Sequence, residues 1–209
     1  YLAGPAVVGH GFVASVQVFL RKPLADVRSV ALDPASRAGR TLTRIVLPER
    51  AGGTPHFIDV PFGTDPAAAP ADAWLAIGDP ALRTYLSPGS PPVFNPSQAW
   101  VEMTGLPYVF AVWIVRAGAP ITDRHLEHFA EAQSRGAAAL ESLCVEASRT
   151  WGLSLDACRR YLAEECSFAA GSELEGSLAE LKRRAAPLAL CHPDLSPEPI
   201  QVPTVECRG

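Results

Sequence analysis

No apolar run in these 209 residues approaches the roughly 20 needed to span a bilayer as a helix, and no basic stretch leads into an apolar one near Tyr1. Export is therefore not signalled and the cytoplasm is the default location. An excess of positive charge is also missing. At a net charge of -4 the chain has no general attraction for nucleic acid or an anionic membrane, so any anion it binds must be held by a local site. CxxC spacing is absent, and the five cysteines (Cys144, Cys158, Cys166, Cys191 and Cys207) are an odd number in a chain far longer than a disulfide miniprotein. Reduced thiols are expected. Cys191-His192 and Cys207 supply no four-ligand set, so metal binding is rejected. Internal repeats are lacking, which excludes solenoids and propellers.

With 48% hydrophobic and 19% charged residues, the chain can bury one sizeable core or two modest ones. Near-continuous apolar runs at Val13 to Leu20, Val27 to Leu32, His56 to Val60, Ala73 to Ile77 and Tyr108 to Val115 suit strands covered on both faces. Helical patterns lie between and after them, so the fold class is α/β. The clearest helix is predicted from Thr122, a plausible N-cap, to about Thr150, with Ile121 and Leu126 spaced as a hydrophobic staple. A second is predicted after Ser154, and a third at a Ser172 to Glu175 capping box, so three consecutive helices close the fold. The Pro-rich stretch Ser87 to Ser97 reads as a connection, and the chain from Pro187 onward as an unpatterned tail. Trp74, Trp100 and Trp113 read as core.

Two turns end a buried strand and open a helix: Asp33-Pro-Ala-Ser-Arg37 after Val30 to Leu32, and Gly78-Asp-Pro80 after Trp74 to Ile77. In open α/β sheets, ligands bind beyond the carboxyl ends of strands, where free N–H groups and the helix dipole favour an anion. Two such turns in one lobe make an anion-binding wall.

The run TGLPYVFAVW at 104 to 113 is the most specific of several segments that resemble the menaquinone-biosynthesis family containing chorismate dehydratase and dihydroxynaphthoate synthase. Ser15-Val16 before a strand leading to Lys22-Pro-Leu24, DPASR at 33 to 37, IGDPAL at 77 to 82 and Tyr161-Leu162 support it. Together these cover Val13 to about Leu181. The resemblance implies a two-lobed, type II periplasmic-binding-protein-like α/β fold with substrate in the cleft. The expected division is residues 1–20 as hinge strand and end of lobe 1, 21–107 as lobe 2, 108–186 as return strand and helices of lobe 1, and 187–209 as tail. Family members carry an N-terminal segment with an Asn-bearing turn facing the cleft. Here the chain opens on Tyr1 mid-pattern, so a missing upstream piece and an incomplete first lobe are expected. Relatives read Ser-Arg-Thr-Ser where this chain has Ser36-Arg37-Ala38-Gly39, a loss of two hydroxyl donors.

For the site, the resemblance implies that Ser15, Ser36, Arg37 and the N–H groups near Gly39 bind a carboxylate, with Arg40 adding charge nearby. The backbone N–H groups near Gly39 are expected to carry most of that binding. Arg37 reads equally as a surface ion pair, and Asp79 equally as a substrate contact or an ordinary turn residue. Thr104 and Gly105 face the cleft or form only a hinge turn. His10, His56, His125, His128 and His192 read as solvated or capping.

The implied reaction is dehydration of chorismate to 3-[(1-carboxyvinyl)oxy]benzoate, with no metal or cofactor. Loss of the ring proton beside the ether pushes charge toward the ring carboxylate, where cleft donors stabilise it before the hydroxyl leaves. The base is left to the absent Asn-bearing turn, a water or the substrate's own side-chain carboxylate. Two alternatives stay open: dihydroxynaphthoate synthase of the same family, and a non-catalytic protein that closes on a small anion. The partner is a small dianion, not nucleic acid or membrane, and a homodimer is compatible with the reading.

Overall fold

In the computed structural model, which describes residues 1–203, the chain forms two main sheets connected by two crossings. It starts with β1 (Leu2–Ala3) and β2 (Pro5–Gly9), crosses, and enters β3 (Val16–Leu20). Then follow β4 (Ser29–Leu32), α1 (Arg37–Val46), β5 (His56–Asp59), β6 (Ala73–Ile77), α2 (Gly78–Leu86), β7 (Val93–Phe94) and α3 (Pro96–Thr104). These build a five-stranded sheet in the order β5-β4-β6-β3-β7. Its β4 pairs in parallel with β5 and β6, while β3 runs antiparallel to β6 and β7.

Both faces of this sheet are covered, which is why β3, β4 and β6 could be continuously apolar. Val18, Leu20, Val30 and Leu75 pack on one face with Leu47, and Phe19, Ala31 and Trp74 on the other with Ala81. Helix α1 buries Leu42, Ile45 and Val46 and turns Arg40 and Arg44 to the Asp59 carboxylate at the end of β5. Each fully buried leucine there contributes about 1.5 to 3 kcal/mol.

After α3 the chain returns through β8 (Tyr108–Val112) to an antiparallel three-stranded sheet ordered β8-β2-β9. This part carries α4 (Asp123–Ala138), α5 (Leu140–Trp151), α6 (Leu155–Arg159), a π-helical turn over Arg160–Glu165, β9 (Cys166–Ala169) and α7 (Leu174–Ala185). A short β10 (Ile200–Gln201) pairs with β1, so the described part of the tail packs back on the start of the chain. Cys207 lies outside the described residues.

The fold is mixed α/β, and several sequence expectations need correction. Val16–Leu20 is an interior strand of the five-stranded sheet rather than a hinge strand, because its alternating sides meet both cores, so the first crossing falls at 10–15. The stretch Ser87 to Ser97 contains β7 and the start of α3, where Asn95 caps the helix by accepting the Gln98 N–H. The predicted helix from Thr122 breaks at Ala139, which leaves the helical region at φ -91° and ψ 1°, into α4 and α5. Its start is as read, with His125 completing a capping box on Thr122. The closing helices are not consecutive, since β9 intervenes to complete the small sheet. Helix α7 has no side-chain cap; a Leu174 N–H to Gly171 carbonyl turn starts it instead of the Ser172 box. Trp113 is 55% exposed, stacked edge-on to Phe129 at 4.9 Å beyond the end of β8, and is not core.

Candidate functional site

The ends of β4 and β6 lie side by side, and Asp33 fastens them. Its carboxylate accepts the Ala35 N–H at 2.9 Å within its own turn and the Ile77 N–H at 3.2 Å from the next strand. Ser36 then caps α1, its buried Oγ accepting the Gly39 N–H at 2.9 Å. A Cβ at Gly39 would sit 2.5 Å from that Oγ and 3.3 Å from Ile77 Cγ2, so glycine is what lets the helix start this close to the strand. The Gly39 N–H is therefore occupied by the cap. Those left without a protein acceptor among the described residues are the Arg37 and Ala38 N–H groups, at the positive end of the helix.

Ser15 arrives from the first crossing. Its carbonyl accepts the Gly78 N–H at 2.8 Å, which anchors it where β6 turns into α2 with Gly78 at a φ of 65°. A cavity of about 380 Å³ results, lined by Ser15, Ser36 and Arg37 from the five-stranded body, with Gly78, and by Phe110 and Tyr161 from the other. Of the residues singled out in the sequence, it brings these three together with Ala38, one residue before Gly39. Arg37 is exposed and forms no ion pair among the described residues, against the surface-pair alternative. Arg40 is turned to Asp59, which it shares with Arg44, and does not line this cavity.

Asp79 is exposed in the first turn of α2 and lines neither this cavity nor its neighbour, though its charge reaches Tyr161. Thr104 and Gly105 end α3 instead of facing the cleft. The Thr104 hydroxyl donates to the Trp100 carbonyl at 2.8 Å and accepts the Leu106 N–H at 3.1 Å, and Gly105 takes the left-handed cap at φ 70°.

Side chains that the sequence reading did not place at the site complete it. Tyr161 separates the first cavity from a second of about 610 Å³, bordered by His10, Phe12, Tyr85, Arg160 and Glu165. Burial pushes the Tyr161 phenol up, partly offset by its hydrogen bond with Ser15, while Cys166, Glu165 and Asp79 push it further. Burial also raises the Glu165 carboxyl, opposed by the Ala14 N–H it accepts and by Arg160, and reinforced by Glu164. Buried Cys166 beside them is pushed up to about 11, by burial first and by Glu165 second. Only the Tyr161-Leu162 motif hinted at this wall. Its partners lie some 150 residues away in sequence, and no spacing rule connects them. Among the described residues no group of three or more His, Cys, Asp or Glu gathers to hold a metal. No helix there is long and apolar enough to cross a membrane.

Chemically, the first cavity offers two hydroxyls, one unpaired guanidinium and two free N–H groups at a helix start, a set suited to a carboxylate. Against known proteins, a family described as menaquinone biosynthesis matches residues 1–187. Chorismate dehydratase of Thermus thermophilus is 29% identical over 172 residues, covering 75% of this chain and 62% of that protein, so the chain spans about three fifths of this relative's length. Among solved structures, the periplasmic aliphatic sulphonate binding protein SsuA of Escherichia coli is 16% identical with a TM-score of 0.44, over 88% of this chain and 68% of that one.

Proposed function

Because the chain belongs to the menaquinone-biosynthesis family, we propose that it serves as a chorismate dehydratase, a cytoplasmic hydro-lyase that converts chorismate to 3-[(1-carboxyvinyl)oxy]benzoate. The observation that carries this reading is the convergence of Ser15, Ser36 and Arg37 on one cavity at the start of α1. The similarity to a protein named chorismate dehydratase supplies the substrate. We take the five-stranded part as lobe 2 and the three-stranded part with its helices as lobe 1, closing on the ligand.

In this reading the ring carboxylate sits at the Arg37 and Ala38 N–H groups, flanked by the Ser15 and Ser36 hydroxyls and the Arg37 guanidinium. Ser36 Oγ accepts from Gly39, which leaves its own hydrogen to donate to the ligand. As the ring proton beside the ether passes to a water or to the substrate's own side-chain carboxylate, negative charge moves onto the ring carboxylate. Donors already in place there lower the barrier without reorganising. The neighbouring hydroxyl then departs and the ring becomes aromatic, which makes the step irreversible in practice. Phe110 and Tyr161 close the opposite side and exclude water from the developing charge.

Mass spectrometry of chorismate incubated with the full-length protein tests this. A product lighter by one water supports it. Unchanged chorismate that co-purifies with the protein identifies a small-anion binding protein instead, and chorismate neither changed nor bound removes the assignment.

A further inference from the structure

The first crossing, residues 10–15, is held from both sides. From the five-stranded lobe, buried Asn95 donates its side-chain amide to the Val13 carbonyl at 2.9 Å and to the Val16 carbonyl at 3.2 Å. Of the two residues between them, Ser15 is also tied to this lobe through its carbonyl, which accepts the Gly78 N–H at 2.8 Å, while both face the other lobe. The Ala14 N–H donates to Glu165 Oε2 at 2.7 Å, across 151 positions of sequence, and Ser15 and Tyr161 face one another across the carboxylate cavity. Glu165 and Tyr161 share the π-helical turn that leads directly into β9, so they move with the three-stranded sheet. A π turn has more than four residues per turn, which puts positions four apart on one face. That geometry presents both side chains to the crossing together.

Four consecutive residues are thus tied across the lobes: Val13 and Val16 to Asn95, Ala14 to Glu165, and Ser15 to Gly78 through its carbonyl, with its side chain toward Tyr161. Any rotation of the lobes about this strap either breaks the Glu165 contact or drags Ser15 with it. We propose that Glu165 is a positioning residue: by holding the Ala14 N–H from the opposite lobe it fixes Ser15 in the carboxylate cavity and latches the lobes in the binding geometry. What it supplies is a hydrogen-bond acceptor, not a charge for the ligand. The consequence for ligand affinity rests on the function proposed above, whereas the latch itself does not.

Two variants of the full-length protein separate the acceptor from the side chain's bulk. Glu165→Gln keeps a carbonyl oxygen for Ala14; Glu165→Met keeps the volume and removes the acceptor. Hydrogen exchange at residues 10–15 reads the latch without substrate. Protection is expected to persist in Glu165→Gln and to fall in Glu165→Met. Calorimetric titration with chorismate reads the coupling, with affinity lowered about tenfold in Glu165→Met and near wild type in Glu165→Gln, the scale of one hydrogen bond. Tyr161→Phe, which removes the phenol hydroxyl on the side of the cavity facing Ser15, is expected to weaken binding in the same direction. Unchanged exchange and affinity in Glu165→Met would overturn the proposal, and so would a Glu165→Gln as impaired as Glu165→Met. A wild type that fails to bind chorismate would instead sink the functional assignment, leaving the exchange result to judge the latch.

Discussion

Ile77 donates its N–H to the Asp33 carboxylate at 3.2 Å, a contact between residues 44 apart that ties the end of one parallel strand to the turn following its neighbour. The same carboxylate holds the Ala35 N–H, so one side chain fixes both strand ends from which the carboxylate cavity is built. Replacing Asp33 with Ala leaves two N–H groups without their acceptor. A loss of about 1 to 3 kcal/mol in unfolding free energy is expected by denaturant titration, with Asn recovering part of it.

Gly39 and Ser36 make a second pair with a directional outcome. Ser36→Ala removes a helix cap, at about 0.5 to 2 kcal/mol. Gly39→Val places carbon atoms against the same Oγ and against Ile77, so it displaces the cap and the helix start together. Thermal melts should show Gly39→Val as the more destabilising, and calorimetry should show it as the weaker binder of chorismate. A Gly39→Val protein as stable as Ser36→Ala would show that α1 tolerates a shift.

Arg37 separates binding from folding. It is exposed and has no carboxylate partner among the described residues, so Arg37→Gln should leave stability within about 0.5 kcal/mol. Its loss from the cavity should lower chorismate affinity by about ten- to a hundredfold, the range of a hydrogen bond to a charged group. Equal losses of stability and affinity would assign Arg37 to structure.

Much of this was legible from local pattern. The run at Ala73 to Ile77 is a strand because both its faces are covered, Tyr108–Val112 is an edge strand with Ala111 exposed, and Asp-Pro after a buried strand marked both turns of the wall. The resemblance implied that Ser15 and Ser36 share a site, and the two line one cavity. The π turn was not legible. Arg160–Glu165 has the polarity of an ordinary helix end, and what fixes it is contact with Ala14 and Ser15 at the far end of the chain. Thr104 and Gly105 misled for the opposite reason, since a small hydroxyl and a glycine before a strand serve a helix cap as readily as a ligand.

Cys166 gives a pH dependence. Its folded pKa is raised to about 11 from an ordinary thiol value, so the fold favours the protonated form. The resulting stability is fully present below the unfolded thiol's pKa, near 8.5, and is lost as pH rises from there through about 11. Urea midpoints should fall across that window, and Cys166→Ala should flatten the fall. Native alkylation followed by peptide mass spectrometry should modify exposed Cys191 well before buried Cys144, Cys158 and Cys166.

The most direct measurement is a crystal structure of the full-length protein with 3-[(1-carboxyvinyl)oxy]benzoate bound. The ring carboxylate is predicted within hydrogen-bond distance of the Ser15 and Ser36 hydroxyls and the Arg37 and Ala38 N–H groups, with Tyr161 closing over the ring. A product molecule seated elsewhere, with the start of α1 facing only solvent, would contradict the account.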